Sequence, residues 1–587
     1  SHILSLYSEA SKLYLVGNIF AMTGANERYP IICLRRSGES CDEYIMKSKY
    51  NIYLINENTS KTPHPDACFA TEDDYTLDVS LASSLFYGDW DKDGCFFYPV
   101  LTNEEGYRST IALRVDTLPN GISIRFPLSE TTVDTDQRGV SRDDMTCAGA
   151  YELPAIDTVF VRDTIVLGET YVFNDKNITP EKIGWLQDTM LVKKDNKEIP
   201  YVLQLCVIPK KSSYYYVKKV AEGNGSGSSW KNAMSGDDFA FTLPFANSGT
   251  KFYVAEGVYN PIYDASGEES DDPTSLCYRI KNNITIYGGY PADAQIGATA
   301  DPENHPTVFS GDHKGDDKVV KDVDENGRLK LTYSNRGDNS KQLFEANKCD
   351  VTFNNVIVDG AEFYGINGNE EGIRFYGNNV TFQNCAYAVY YPNKNAVVFI
   401  DGSKFENISL GCLYTPSGWN TNVTSTVFSG NTGYIAYSTS EGMMSFDRVS
   451  VTGNNAHIYS VNTGEFKITN SEFINNDNSG SLIYMNNNGN PYSFLNTKFI
   501  NNKTPQSIIE NNGGVMTVDN CSFKGNESGS NMIKSMAGLI VNHSSVSENK
   551  TPYDIFNTNK LTLISDTIES NSSVYIARPC VYGASID

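Results

Sequence analysis

The chain has 587 residues, 12 of them cysteine, and sets 47 basic side chains against 71 acidic ones, a net charge of −24 at neutral pH. Nucleic acid and anionic membrane are excluded as partners on that balance, since either polyanion repels the chain. No run of 18 apolar residues occurs and no basic stretch leads into an apolar one near the start, so neither a membrane-spanning helix nor a secretion signal is expected here.

Residues 1–150 carry short alternating runs such as KLYLVGNIF at 12–20, NIYLINE at 51–57 and GISIRFP at 121–127. They predict a β-sandwich region of one or two immunoglobulin-like domains. Residues 151–211 alternate in the same way, with turn signals about every ten residues, and predict one small immunoglobulin-like domain. A linker and β-helix entry at 212–244 then lead into a parallel β-helix over 245–587. Cys33/Cys41 and Cys68/Cys95 are close enough in sequence to bridge in an oxidising compartment. No C-x-x-C pair is present, which disfavours zinc.

Two loops match the opening of a calcium loop, D-x-D-x-[DN]-G: Asp89, Asp91 and Asp93 before Gly94, and Asp322, Asp324 and Asn326 before Gly327. Alternating oxygens can converge on a cation there, and the glycine permits the sharp turn. Val100 and Tyr333 stand where the bidentate Glu belongs, and an Asp-Gly hairpin turn accounts for either loop equally well. Calcium is the candidate cofactor.

The β-helix is read from a phrase that returns at intervals of 22 to 26 residues, a large apolar anchor followed three positions later by Asn. It runs Phe428/Asn431, Val451/Asn454, Phe473/Asn476, Phe499/Asn502, Phe523/Asn526, Val546/Asn549 and Ile568/Asn571. Five and seven positions before each anchor stand residues alternating at period two, for example Phe446 and Met444, and after the Asn comes a run containing Ile435, Ile458, Ile483, Ile508, Ile533 or Ile555. Three strand segments per repeat, with Asn, Gly, Ser and Asp between them, predict stacked coils with three parallel sheets. Stacked coils lie about 4.8 Å apart, so the asparagines are expected to form a ladder from left-handed corners. Upstream, anchors are expected at Phe405, Tyr387 and Val358, and their uneven spacing predicts a loop extruded around 359–395. The chain is expected to continue beyond Asp587, because its last coil carries no cap.

The run GSGSSWKNA at 225–233, then FYVAEGVY, ITIYGGY and VFSGD, resembles the start of right-handed parallel β-helix domains of Bacteroidetes surface proteins. The F-x-x-N phrases resemble those of chlamydial polymorphic outer-membrane proteins, although the companion G-G-A-[ILV] motif is represented only by Gly513-Gly514-Val515. These resemblances imply a right-handed helix on the cell surface, at the exterior face of the outer membrane, or secreted. They also imply an adhesin whose partner is a host or microbial surface glycan or protein, attached through a region or partner outside this chain.

Parallel β-helices also carry polysaccharide lyases and glycoside hydrolases, whose chemistry needs convergent carboxylates or a cationic base. The repeats offer only His457, His543, Arg374 and Arg448 as scattered groups. Binding without catalysis is therefore favoured, with a structural stalk or an enzyme as alternatives. Candidate ligand-binding residues are the aromatics near the expected loop, Tyr364, Tyr390, Tyr391, Tyr414 and Trp419, since sugars stack on such rings.

Overall fold

Each repeat contributes one strand to each of three long parallel sheets, and the chain winds as a parallel β-solenoid. In the computed structural model, residues 159–573 are described apart from 195–196, 265–266, 268–269 and 487–488, together with the backbone of short strands between Leu4 and Cys147. The first sheet has 13 strands, the second 12 and the third 11 among the described residues. They run from Tyr214–Val217 to Leu561–Ile564, from Gly257–Tyr259 to Thr567–Glu569, and from Tyr278–Ile280 to Phe556–Thr558. The first sheet thus begins within the stretch read as linker and β-helix entry.

Anchors sit in the second sheet and superimpose coil on coil, for example Phe382 on Phe405, Phe405 on Phe428 and Phe473 on Phe499. Their rings stack 4.7 to 5.2 Å apart with planes within 12°. Phe382, Phe405, Phe428, Phe473, Phe499 and Phe523 are all fully buried, as a single hydrophobic column requires.

The anchor upstream of Phe405 is Phe382 rather than Tyr387, and it lies in register with Val358. The spacing is then 24 and 23 residues, and the loop expected at 359–395 does not exist. Strands Tyr364–Gly368, Arg374–Asn378, Thr381–Gln383 and Tyr387–Tyr390 run through it. The physical reason is that the third position after these anchors holds Ala361, Cys385 and Ile408, all fully buried, where later coils hold Asn. An apolar side chain fills the corner there, so the phrase that marks a coil is hidden.

From Asn431 onward the corner is polar and closed upon itself. Asn454 donates its amide to the carbonyl of Phe428 and to Oδ1 of Asn476, both at 3.0 Å, and Asn476 repeats the pattern onto Val451 and Asn502. Each Oδ1 also takes the backbone N–H of the preceding coil's Asn, so the buried amides are fully satisfied. The left-handed residue is the one before each ladder Asn, such as Gly430 (φ 65°), Gly453 (φ 64°) and Asn475 (φ 53°), not the ladder Asn itself.

At the amino-terminal end, helix α1 (Gly236–Thr242) closes the coils. Ser235 and Asp238 form its capping box, and Phe239 lies against Phe252 and Phe309 at 5.1 and 5.8 Å. One excursion is a hairpin, Lys318–Val323 antiparallel to Leu329–Ser334. It lies along the corner between the second and third sheets. Tyr333 donates its hydroxyl to the Asn407 carbonyl, Arg336 donates to the carbonyls of Ala361 and Asn384, and Arg328 pairs with Asp477 at 3.4 Å.

Before the solenoid, Val159–Val166, Lys197–Ile208 and Gly184–Lys194 form a three-stranded sheet in that order, beside an antiparallel pair Tyr171–Phe173 and Lys176–Ile178. Among the described residues no helix is long and apolar enough to cross a membrane.

Candidate functional site

The outward face of the third sheet carries a row of tyrosines. In each of five successive coils the residue just before the tyrosine is a fully buried apolar one, Val389, Leu413, Ala436, Ile458 or Ile483. Strand alternation turns the next side chain outward, which brings Tyr390, Tyr414, Tyr437, Tyr459 and Tyr484 into register. Their ring centroids step 5.2, 4.8, 5.0 and 5.1 Å from coil to coil, with planes within 10°.

A second row runs beside it, Tyr387, Gly411, Tyr434 and His457. Tyr387 and Tyr434 meet the first row edge to face, at 5.2 Å from Tyr414 and 4.9 Å from Tyr437. Gly411 leaves room for this, since a Cβ there would lie 3.1 Å from the Tyr387 ring, a tight contact. Tyr364 leans on Tyr390 at 4.4 Å and starts the patch.

The stacking decides what the face can do chemically. Rings that lie parallel cover one another's faces, so the row presents ring edges and hydroxyls to solvent. Aromatic edges carry the positive rim of the ring quadrupole. Burial, then the neighbouring phenols, pushes the hydroxyls of Tyr390, Tyr437 and Tyr459 above their ordinary range, so they remain protonated donors.

The face is also empty of charge. Segments 386–393, 409–418, 432–440, 455–463 and 478–486 contain no Asp, Glu, Lys or Arg, in a chain that is 20% charged. Their one ionisable base, His457, is held neutral because burial lowers it to about 4. Beyond Tyr484 the same register position is taken by Glu510 and then Lys534, which pair with each other at 2.9 Å.

Of the aromatics singled out from the sequence, Tyr364, Tyr390 and Tyr414 stand on this face. Tyr391 does not: it is fully buried in the core, 6.1 Å from Phe375, and no ligand can reach it without unfolding the coil. Its position one residue past Tyr390 turns it inward by the same alternation. Trp419 is 53% exposed, at the corner leading into the first sheet, and touches no other ring among the described residues. Tyr437, Tyr459 and Tyr484 were missed. The signal that could have found them is an interval of 24, 23, 22 and 25 residues between successive tyrosines from Tyr390, the same rhythm as the anchors.

At the hairpin tip, one oxygen of Asp324 accepts the backbone N–H of Asn326 and Arg328 at 2.8 and 2.9 Å, and Asp322 accepts from Val323. Asp324 is thereby drawn into closing the turn. Asp89 falls in a strand whose side chains are not described, and Asp91 and Asp93 lie outside the described residues. Another acidic group does meet, at the hairpin base, where Asp312, Asp316 and Asp338 place oxygens within 4.8 Å of one another. Asp312 accepts the N–H of Gly315 and of Asp317, and Asp338 that of Lys314, bonds that shape the turn.

No protein-family model and no curated protein matches the sequence. Among solved structures, the A-module of the mannuronan C-5 epimerase AlgE4 of Azotobacter vinelandii aligns with 63% of this chain and all of its own length, at 9% identity and a TM-score of 0.33. A likeness at that level carries no argument about function.

Proposed function

We propose that this protein is a non-catalytic binding protein of the cell surface or secreted space, which holds a glycan on the tyrosine face of its third sheet. The observation that supports this reading is the uncharged face itself, five coils long on a rigid scaffold. Tyrosine supplies large contact area with a polar tip and few rotatable bonds, the combination that recognition surfaces favour. Neither row contains a carboxylate or a guanidinium, so the paired carboxylates of glycoside hydrolysis are missing from the face.

The test is retention of the full chain on a glycan array and on cells, with and without Tyr414→Ser, Tyr437→Ser and Tyr459→Ser combined. Retention should vanish in the variant while the melting curve stays close to that of the parent. Reducing ends or unsaturated sugars released from a bound polysaccharide would overturn the non-catalytic reading.

A further inference from the structure

We infer that the tyrosine face takes an uncharged, linear polysaccharide lying along the solenoid axis, with successive sugars over successive coils. This rests on the reading of the face as a glycan site and names the class of glycan.

The direction comes from the geometry of the row. Rings recur every 4.8 to 5.2 Å along the axis, while across the axis the patch is only two aromatic rows wide. A branched or compact glycan would engage one or two coils, whereas a linear chain can engage five. Binding energy then accumulates with chain length, since each added sugar is already held near the next coil.

The chemistry of the row selects an oxygen-rich neutral ligand. A cation seeks the faces of aromatic rings, and the interior faces are covered by stacking. Ring edges and phenol hydroxyls instead complement oxygen lone pairs and hydroxyl groups. A polyanion would gain those contacts too, but it needs cations to offset its charge, and the five segments supply none. Lys534, the nearest base in the register, is already paired with Glu510. The overall charge of −24 repels a polyanion further.

The end of the row fits the same reading. Tyr484 is the last ring, and beyond it Glu510 accepts from Ser481 at 2.9 Å as well as from Lys534. That local network is satisfied and leaves no unpaired charge to draw in a uronate or sulfate.

The experiment measures binding of the full chain to neutral linear glucans, mannans and xylans, to polyuronates and to sulfated glycans, at low and high salt. For any neutral polymer that binds, a ladder of its oligosaccharides from disaccharide to octasaccharide follows. The expected result is binding of a neutral linear polymer that is insensitive to salt, tightens with length and levels off near the pentasaccharide. Tyr437→Ser with Tyr459→Ser should weaken it roughly tenfold or more. The Tyr437→Phe, Tyr459→Phe pair keeps the stack and removes two hydroxyls, and should weaken it severalfold; unchanged binding by that pair would overturn the role given to the hydroxyls. Salt-sensitive binding of polyuronates or sulfated glycans, lost in the serine variant, would overturn the neutral class while leaving the face as the site. Binding that survives the serine substitutions, or self-association of the chain through this face with no glycan bound, would overturn both.

Discussion

Replacing Asn476 by alanine tests the ladder where it is best enclosed. Asn476 is 1% exposed, and its Oδ1 accepts the backbone N–H and the side-chain amide of Asn454, both at 3.0 Å. Asn476→Ala therefore strands two donors on a neighbour that is itself 1% exposed. Leaving a buried donor unmade costs about 1–3 kcal/mol, so the substitution should cost about 2–6 kcal/mol. Asn571 makes the same two contacts to Asn549, but they are only part-buried and water can replace them, so Asn571→Ala should cost less than half as much. Asn476→Asp should be worse than alanine, because it turns an oxygen toward the Val451 carbonyl and Asn502 Oδ1. Denaturant midpoints give the ranking, and hydrogen exchange at the Asn454 amide reports the broken bond directly. A cost under about 1 kcal/mol for Asn476→Ala, with that amide as protected as before, would refute the ladder as a source of stability.

Phe473→Ala opens a void in the anchor column, where the ring is fully buried and 5.0 Å from Phe499, and should cost about 3–5 kcal/mol by chemical denaturation. His457 is held at about 4 against an ordinary 6.5, so the unfolded chain takes up its proton first as pH falls. Its effect on stability is therefore absent above pH 6.5 and grows as a loss down to about 4, and His457→Gln should flatten that stretch of the stability profile measured against wild type. Gly442→Ala should destabilise the corner at Trp419 and change the Trp419 emission spectrum, since the new Cβ would fall 1.4 Å from the Trp419 carbonyl oxygen.

Wherever a coil carries Asn three residues after a Phe, the sequence alone was enough to place its anchor, its ladder and its three strands, because each is set by contacts that repeat in the next coil. The anchor Phe382 is hidden because Cys385 replaces that Asn, and an apolar corner looks like any other apolar residue. Tyr387 then mimics an anchor by spacing, although it pairs with Tyr364 and Gly411 in the third sheet. The tyrosine face was only half legible for a related reason. Tyr390 and Tyr414 drew notice beside an irregularity that does not exist, whereas Tyr437, Tyr459 and Tyr484 lie in regular coils and draw notice only when tyrosines are counted in the anchors' own rhythm. The docking of the hairpin at 318–334 depends on Arg328 and Asp477, which are distant in the chain.

In the coils of Tyr437, Tyr459 and Tyr484 the anchor, the ladder Asn and the tyrosine recur together, so duplicating one such unit of 22 to 26 residues would insert one of each and renew the same contacts with its neighbours. Lineages of such a gene can therefore lengthen or shorten by whole units and remain foldable, while a gain or loss of a few residues inside a strand would break the stacking at once. Each such step also changes the row by one tyrosine. The span of ligand that can be gripped would thus vary by one increment per duplication, which ties the evolutionary history of the scaffold to the length of chain it can distinguish.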